Sequence, residues 1–384
     1  NNFREGSASF RDVLGWAYPQ RRLISLLIPD FFGNPSHHTY FDLWSWRRTP
    51  VTVNALGQPL AAISAIEFSI KNYVEGAGYL GMLPSLLAII GALRWKGRHV
   101  GFFAMLAVLS ILFVFGSPLY WIIYHLPGLN QVHSPFRWIL LYSLSMALLA
   151  GMGYDALWQR RGAAGHWLRR VARWGERLLS RGVLWAGLAT LGGLAAGLLA
   201  KDHLVTLADW IMRRLSGAPQ AFADGRMFYS YQFRNVLILG SALAASGLLL
   251  WLQPRFRRAW VWGGLATLVV VGELFVIGKP FFPANDPALV GYRTPAIDFL
   301  TNDPNLFRIT TYVGRDANDK PFNANAGMFY DLADIRGYDS IIIRQYAQYM
   351  ETIQEQGELQ YNRIAPIGNW RPEALESPLL DMLN

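Results

Sequence analysis

Gln159-Arg160-Arg161-Gly162-Ala163-Ala164-Gly165-His166-Trp167-Leu168-Arg169-Arg170-Val171-Ala172-Arg173-Trp174-Gly175-Glu176-Arg177-Leu178-Leu179-Ser180-Arg181 is the stretch on which the reading of this chain turns. Arg160, Arg161, Arg169, Arg170, Arg173, Arg177 and Arg181 stand here against a single acid, Glu176, and a long apolar run lies on each side. Clustered arginines between membrane-crossing runs stay on the cytoplasmic side, because dragging them through a bilayer is unfavourable. Placing 159–181 inside therefore sets the side of every other loop.

Composition points the same way. Of 384 residues, 52% are hydrophobic and 16% charged, whereas an average soluble domain spends about 25% on charge. The net charge of +9 sits largely in short loops between apolar runs. Membrane topology accounts for it better than nucleic acid, which is not an expected partner. The chain has no cysteine, which excludes disulfides, thiolate catalysis and cysteine metal sites.

Working outward from the basic loop, the run at 137–157 precedes it and the run at 183–200 follows it. Upstream, 125–135 carries no Lys or Arg and reads as an outer loop, reached by a span over 100–124. Arg94, Lys96 and Arg98 mark the inner end of a first span over 74–93, in which Gly76, Gly78 and Gly81 allow close helix contact. Downstream, 201–232 lies outside. Its Leu204, Leu207, Trp210, Ile211 and Leu215 recur at helical spacing, as in an amphipathic helix on the membrane surface. A fifth span over 236–252 closes on Arg255, Arg257 and Arg258, and a sixth covers 259–278.

Residues 1–73 form an extracytoplasmic loop region, where the apolar 23–28 is too short to cross a bilayer and reads as interfacial. His37-His38 with Asp42 reads as polar surface rather than a metal cluster. From 279 onward prolines and polar residues take over. Thr294-Pro295 opens a short helix to about 300, 307–313 reads as a strand, and 341–356 reads as a helix with Ile342, Tyr346, Tyr349, Met350 and Ile353 on one side. The expected fold is an α-helical polytopic membrane protein with six transmembrane helices over 74–278 and an extracytoplasmic α+β C-terminal domain over 279–384. Both ends read as cuts through a longer protein.

Few residues carry chemistry. Glu273 is the one acid well inside an apolar run, where charge is costly unless paired. It is functional, half of a structural ion pair, or a side chain reaching up to the interface, and Arg137 and Arg234, opening the third and fifth spans, are the cations that could meet it. Arg137 could also clamp a lipid phosphate, its planar fork matching phosphate oxygens, or act as a plain interfacial anchor. Glu75 is either a general base facing a lipid-linked substrate or a helix-start acid favoured by the dipole. Tyr338 and Asp339 could hold a sugar, or form a turn in which Asp339 or Ser340 caps the following helix.

Tyr73-Val74-Glu75-Gly76 running into Tyr79-Leu80-Gly81-Met82-Leu83-Pro84 resembles the bacterial YfhO membrane protein family. Pro118-Leu119-Tyr120, Leu126-Pro127-Gly128, Ser134-Pro135-Phe136-Arg137 and Leu148-Leu149-Ala150-Gly151-Met152-Gly153 fit the same pattern. So do Ile28-Pro29-Asp30-Phe31-Phe32-Gly33 and Asp334-Ile335-Arg336-Gly337-Tyr338-Asp339-Ser340. The resemblance implies a GT-C-type glycosyltransferase of the bacterial plasma membrane. Such an enzyme moves a sugar from a polyprenyl-phosphate carrier to an envelope acceptor such as teichoic or lipoteichoic acid. It implies that this chain matches the later part of a family member, with the catalytic acid expected upstream of Asn1. Arg137, Arg234 and Glu273 would line the donor cavity and the outer domain would help hold the acceptor. No cofactor or metal is called for, although a divalent cation at the donor phosphate fits the reading. The competing reading is a non-enzymatic scaffold or export factor for an envelope polymer. A transporter ranks behind both, since no repeat or paired broken helices are visible.

Overall fold

The computed structural model describes residues 9–34, 36–51, 76–94, 97–127, 129, 134–158, 166–216, 222–279, 286–289, 291–314, 322–339 and 341–383. The chain divides into two compact units, Ala8–Pro283 and one built on Ala284–Asn384. The described residues are mostly helical, with a few short strands.

The first unit begins with a short helix α1 (Phe10–Leu14), whose Ser9 side chain accepts the Asp12 N–H. A 3-10 turn (Gln20–Leu26) and a hairpin of β1 (Thr39–Asp42) and β2 (Arg47–Pro50) follow. Then come α2 (Met82–Leu93), α3 (Arg98–Val114), the one-turn α4 (Tyr120–Tyr124), α5 (Ile139–Trp158) and α6 (His166–Leu199). The surface helix α7 (Lys201–Trp210), α8 (Gly225–Leu252) and α9 (Ala259–Gly278) complete it.

Four stretches are long and apolar enough to cross a membrane: Pro135–Trp158, Arg177–Leu199, Gly225–Arg255 and Ala259–Gly278. They also expose apolar side chains, consistent with a surface that faces lipid. Leu140, Trp185, Leu199, Trp260, Leu268 and Phe275 are all exposed, and just 11% of the apolar window in Arg177–Leu199 is buried. The first two expected spans are shorter. At 1.5 Å per residue, the 12 residues of α2 and the 17 of α3 reach about 18 and about 26 Å, against about 30 Å of hydrocarbon. The chain at 76–81 is not helical, and Gly81 enters α2 with φ +91°, a conformation that glycine tolerates best.

Two other boundaries move. The helix expected over 183–200 starts at His166, so the described part of the arginine-rich loop continues it. The helix expected over 236–252 starts at Gly225, capped by Asp224 onto the Met227 N–H at 2.8 Å. Its polar first turns are not loop because Gln232 and Asn235 are buried and bonded to the chain at 30–31.

Close backbone contact joins the bundle. A Cβ on Gly153 would fall 1.9 Å from the Leu87 carbonyl oxygen, and one on Gly91 2.3 Å from that of Leu149. The glycines thus let α2 and α5 pack with their backbones touching. Around them Leu83, Leu87, Leu149, Leu249 and Trp262 form one core, with the Trp262 indole N–H donating to the Leu249 carbonyl at 2.8 Å. A second core of Phe32, Ala208, Met212, Phe222, Met227 and Phe228 ties the N-terminal segment to α7 and α8.

In the second unit, α10 (Pro295–Thr301) is capped by Thr294 as expected, its hydroxyl accepting the Ile297 N–H. The strand expected over 307–313 is broken into β3 (Arg308–Ile309) and β4 (Tyr312–Val313). Each has a different parallel partner: β5 (Ala333–Asp334) for β3 and β6 (Ile367–Gly368) for β4. The amphipathic α11 (Arg344–Ile353) buries Ala347, Met350 and Ile353, with Ile342, Tyr346 and Tyr349 in the same core. It is shorter than the expected 341–356, because Gln354 and Gln356 turn inward to bond the backbone at 365–368. A one-turn α12 (Pro378–Asp381) follows.

Candidate functional site at one end of the helices

The segments at 18–34 and 76–82, the start of α8 and the end of α9 meet at one end of the first unit. The start of α9 meets the ends of α5 and α8 at the other, where the Tyr154 hydroxyl donates to the Ala259 carbonyl at 3.0 Å.

Glu273 is buried in the last turns of α9. Its partners are the Tyr79 hydroxyl, which donates to Oε1, and the Met82 N–H, 3.1 and 3.2 Å from Oε1 and Oε2. These are a phenol and the first amide of α2 rather than the expected arginine. The carboxylate sits where the α2 dipole is positive and its first N–H groups lack intrahelical acceptors.

Arg234, in the early turns of α8, reaches across to the end of α9. Its Nη2 donates to the Val276 carbonyl at 3.4 Å, and its Nη1 stands 3.7 Å from Asp30 Oδ2. Asp30 is the hub of a polar cluster that the sequence reading missed. Its side chain is 3% exposed, and Oδ1 accepts the Asn34 amide at 2.9 Å. His37 Nε2 is 3.9 Å from Oδ2, while His37 Nδ1 bonds the Tyr231 hydroxyl at 2.7 Å. Asn235 and Gln232 clamp the Asp30 and Phe31 carbonyls onto α8 at 3.2 and 2.7 Å. The only sequence signal was the Pro29-Asp30-Phe31-Phe32-Gly33 motif. Burial pushes the His37 imidazole below its ordinary value; Asp30 opposes this, and Arg234 and His38 reinforce it. His37 and Asp42 do not converge. Asp42 turns to the Trp44 and Ser45 amides of its own turn and to the Ser230 hydroxyl.

Between these groups lies a cleft of about 190 Å³, lined by Tyr18, Arg22, Ser25, Tyr79, Ile277 and the glycine-rich backbone at 76–78. Arg22 is only 7% exposed, and its guanidinium lies 5.7 Å from the Tyr18 ring centre and 5.5 Å from that of Phe32. The Ser25 hydroxyl has no hydrogen-bond partner among the described residues. Tyr18 stacks on Phe136 with ring centres 5.6 Å apart. A buried guanidinium beside hydroxyls and close backbone suits an anionic oxygen group. Reading 23–28 as an interfacial segment with Arg21-Arg22 as its flank hid this arginine.

Arg137 lines a separate groove of about 190 Å³ with Tyr120, Ser134 and Trp138 and is itself exposed. Glu75 lies outside the described residues. In the second unit Tyr338 is exposed, and Asn325 bonds both its N–H and its carbonyl. Asp339 does not cap α11, which starts at Arg344. Its carboxylate accepts the Ile341 N–H at 2.9 Å, and Ser340 lies outside the described residues.

No family model, curated protein or solved structure matches this chain. Four helices long and apolar enough to span a membrane are consistent with a multi-pass membrane protein.

Proposed function

We propose that this chain is the donor-positioning part of a membrane glycosyltransferase of GT-C type, which transfers a sugar from a polyprenyl-phosphate carrier to an envelope acceptor such as teichoic or lipoteichoic acid. The observation that carries this reading is the Arg22 cleft. A lipid-linked phosphate needs a cation held where the acyl chain can stay in lipid, and Arg22 sits beside the end of an apolar helix. Tyr79 on the cleft wall is oriented by Glu273, so Glu273 acts here as a positioning residue. Arg234, fixed by Asp30, adds positive charge on the same side. Arg137, in its own groove, would meet the headgroup or a neighbouring lipid.

In this reading six helices cross the bilayer, with 76–81 completing the short α2, and the cleft and the C-terminal unit face outward. The arginines of 159–181 and of 255–258 then lie in the cytoplasm, as the positive-inside rule requires. A divalent cation would find its ligands on the donor phosphate.

The second reading, a non-enzymatic scaffold for export of an envelope polymer, is favoured by one observation: the carboxylate of Glu273 is engaged in capping α2. Binding of a radiolabelled polyprenyl-phosphate sugar to the purified protein in nanodiscs separates the two. The transferase reading expects saturable binding that Arg22→Ala weakens by about tenfold or more at unchanged thermal stability. Equal binding by wild type and Arg22→Ala would sink it.

A further inference from the structure

The C-terminal unit holds a cavity of about 270 Å³, lined among others by Thr311, Asn323, Glu355, Glu358, Arg363 and Trp370. Its walls are fixed from behind. β4 and β6 run side by side, and the buried Gln354 amide donates to the Pro366 carbonyl at 2.8 Å and accepts the Gly368 N–H at 2.7 Å. Gln356, also buried, accepts the Ala365 N–H at 2.9 Å. Two buried side-chain amides thus hold the strand against which a ligand would rest.

Trp370 is set by a glycine. A Cβ on Gly368 would fall 2.3 Å from indole Cζ2 and Cη2, so the six-membered ring lies directly over that backbone. Trp370 is still 44% exposed, so part of the indole stays open to solvent. Beside it Arg363 and Glu358 form an ion pair, each partly open to solvent. Both guanidiniums of the lining are already paired, Arg336 with the buried Asp334 carboxylate and Arg363 with Glu358. The Thr311 hydroxyl has no hydrogen-bond partner among the described residues.

With both guanidiniums neutralised by carboxylates, the lining does not select a phosphate. What fits is a neutral molecule with an apolar face and a rim of groups that both donate and accept. Adjacent guanidinium and carboxylate groups match neighbouring hydroxyls, each of which gives one hydrogen bond and takes another. An open indole face suits the C–H face of a ring. The volume lies just below the range of about 300–1,000 Å³ for drug-sized ligands, which is the scale of one ring. The geometry points to this cavity as a binding site for a neutral hexopyranose ring carried by a polysaccharide or glycolipid. The inference stands on the cavity alone and is independent of the transferase reading.

Saturation-transfer NMR on the full chain tests it, in nanodiscs free of glycosidic detergent. The probes are glucose, galactose and N-acetylglucosamine, with glucuronate and inorganic phosphate as charged controls. Binding of at least one neutral sugar is expected through its ring C–H protons. Trp370→Ala and Asn323→Ala should weaken it, the former about tenfold, while Trp370→Phe keeps most of it. No transfer to any neutral sugar, equal binding by Trp370→Ala, or preference for glucuronate or phosphate would overturn the assignment. None of these results depends on sugar transfer.

Discussion

Glu273 caps a helix that begins 191 residues before it: its two carboxylate oxygens lie 3.1 and 3.2 Å from the N–H of Met82. A charged group inside an apolar run is thereby placed where α2 needs an acceptor. Glu273→Ala leaves the Met82 amide and the Tyr79 hydroxyl unsatisfied and should cost about 1–3 kcal/mol. Glu273→Gln keeps an acceptor for the amide and should cost less. Thermal unfolding in nanodiscs ranks the two, and equal losses would contradict the capping role.

Asp30 braces its own loop and ties it to α8, through Asn34, His37 and Arg234. Asp30→Ala strands these partners around a buried gap, and a loss of about 2–3 kcal/mol is expected. Because Arg234 is 42% exposed, Arg234→Ala should cost under about 1 kcal/mol. Paired unfolding curves check the asymmetry.

His37 makes the same cluster sensitive to acid. The folded protein binds its proton less readily than the unfolded chain, whose value is 6.5. The unfolded state therefore takes up more protons as pH falls below about 6.5, and the stability contributed by neutral His37 is complete above that pH and lost below it. The Tm of the wild type should drop more between pH 7.5 and 5.0 than that of His37→Asn. A drop of equal size in both would show that His37 is not the titrating group.

Gly153 has no room for a methyl group against the Leu87 carbonyl. Gly153→Ala should force α2 and α5 apart and cost about 1–3 kcal/mol. Gly151, with nothing within 4 Å of a Cβ, should accept alanine with little change. Unfolding of the two variants side by side is the control.

The absence of cysteine makes sidedness directly testable. Arg47→Cys and Arg257→Cys place single thiols at exposed positions near opposite ends of the first unit. In intact cells an impermeant maleimide should label the first and reach the second only after permeabilisation. Labelling of Arg257→Cys alone would invert the proposed orientation.

The apolar runs were legible because lipid-facing side chains need no particular partner. Ala259–Gly278 coincides with the run read from the sequence, and the helical stripe of Ile342, Tyr346, Tyr349, Met350 and Ile353 is the core face of its unit. Helix starts were less legible. Residues 225–235 look too polar for a span, and the helix extends through them because Gln232 and Asn235 find acceptors on a loop about 200 residues upstream. The break in 307–313 was hidden for a related reason, since which strand β3 and β4 each pair with is decided elsewhere in the chain.

Hydrophobicity and the positions of the arginines by themselves determined the helical class, the apolar runs and the change of character near residue 279, because partition between water and lipid depends on local composition. Tertiary structure alone decided that Glu273 meets Tyr79 and Met82 rather than an arginine, that Asp30 is a hub and that Arg22 is buried in a cleft. A charge inside a fold takes whichever partner packing brings within about 3–4 Å, and that distance is set by segments far apart in the chain.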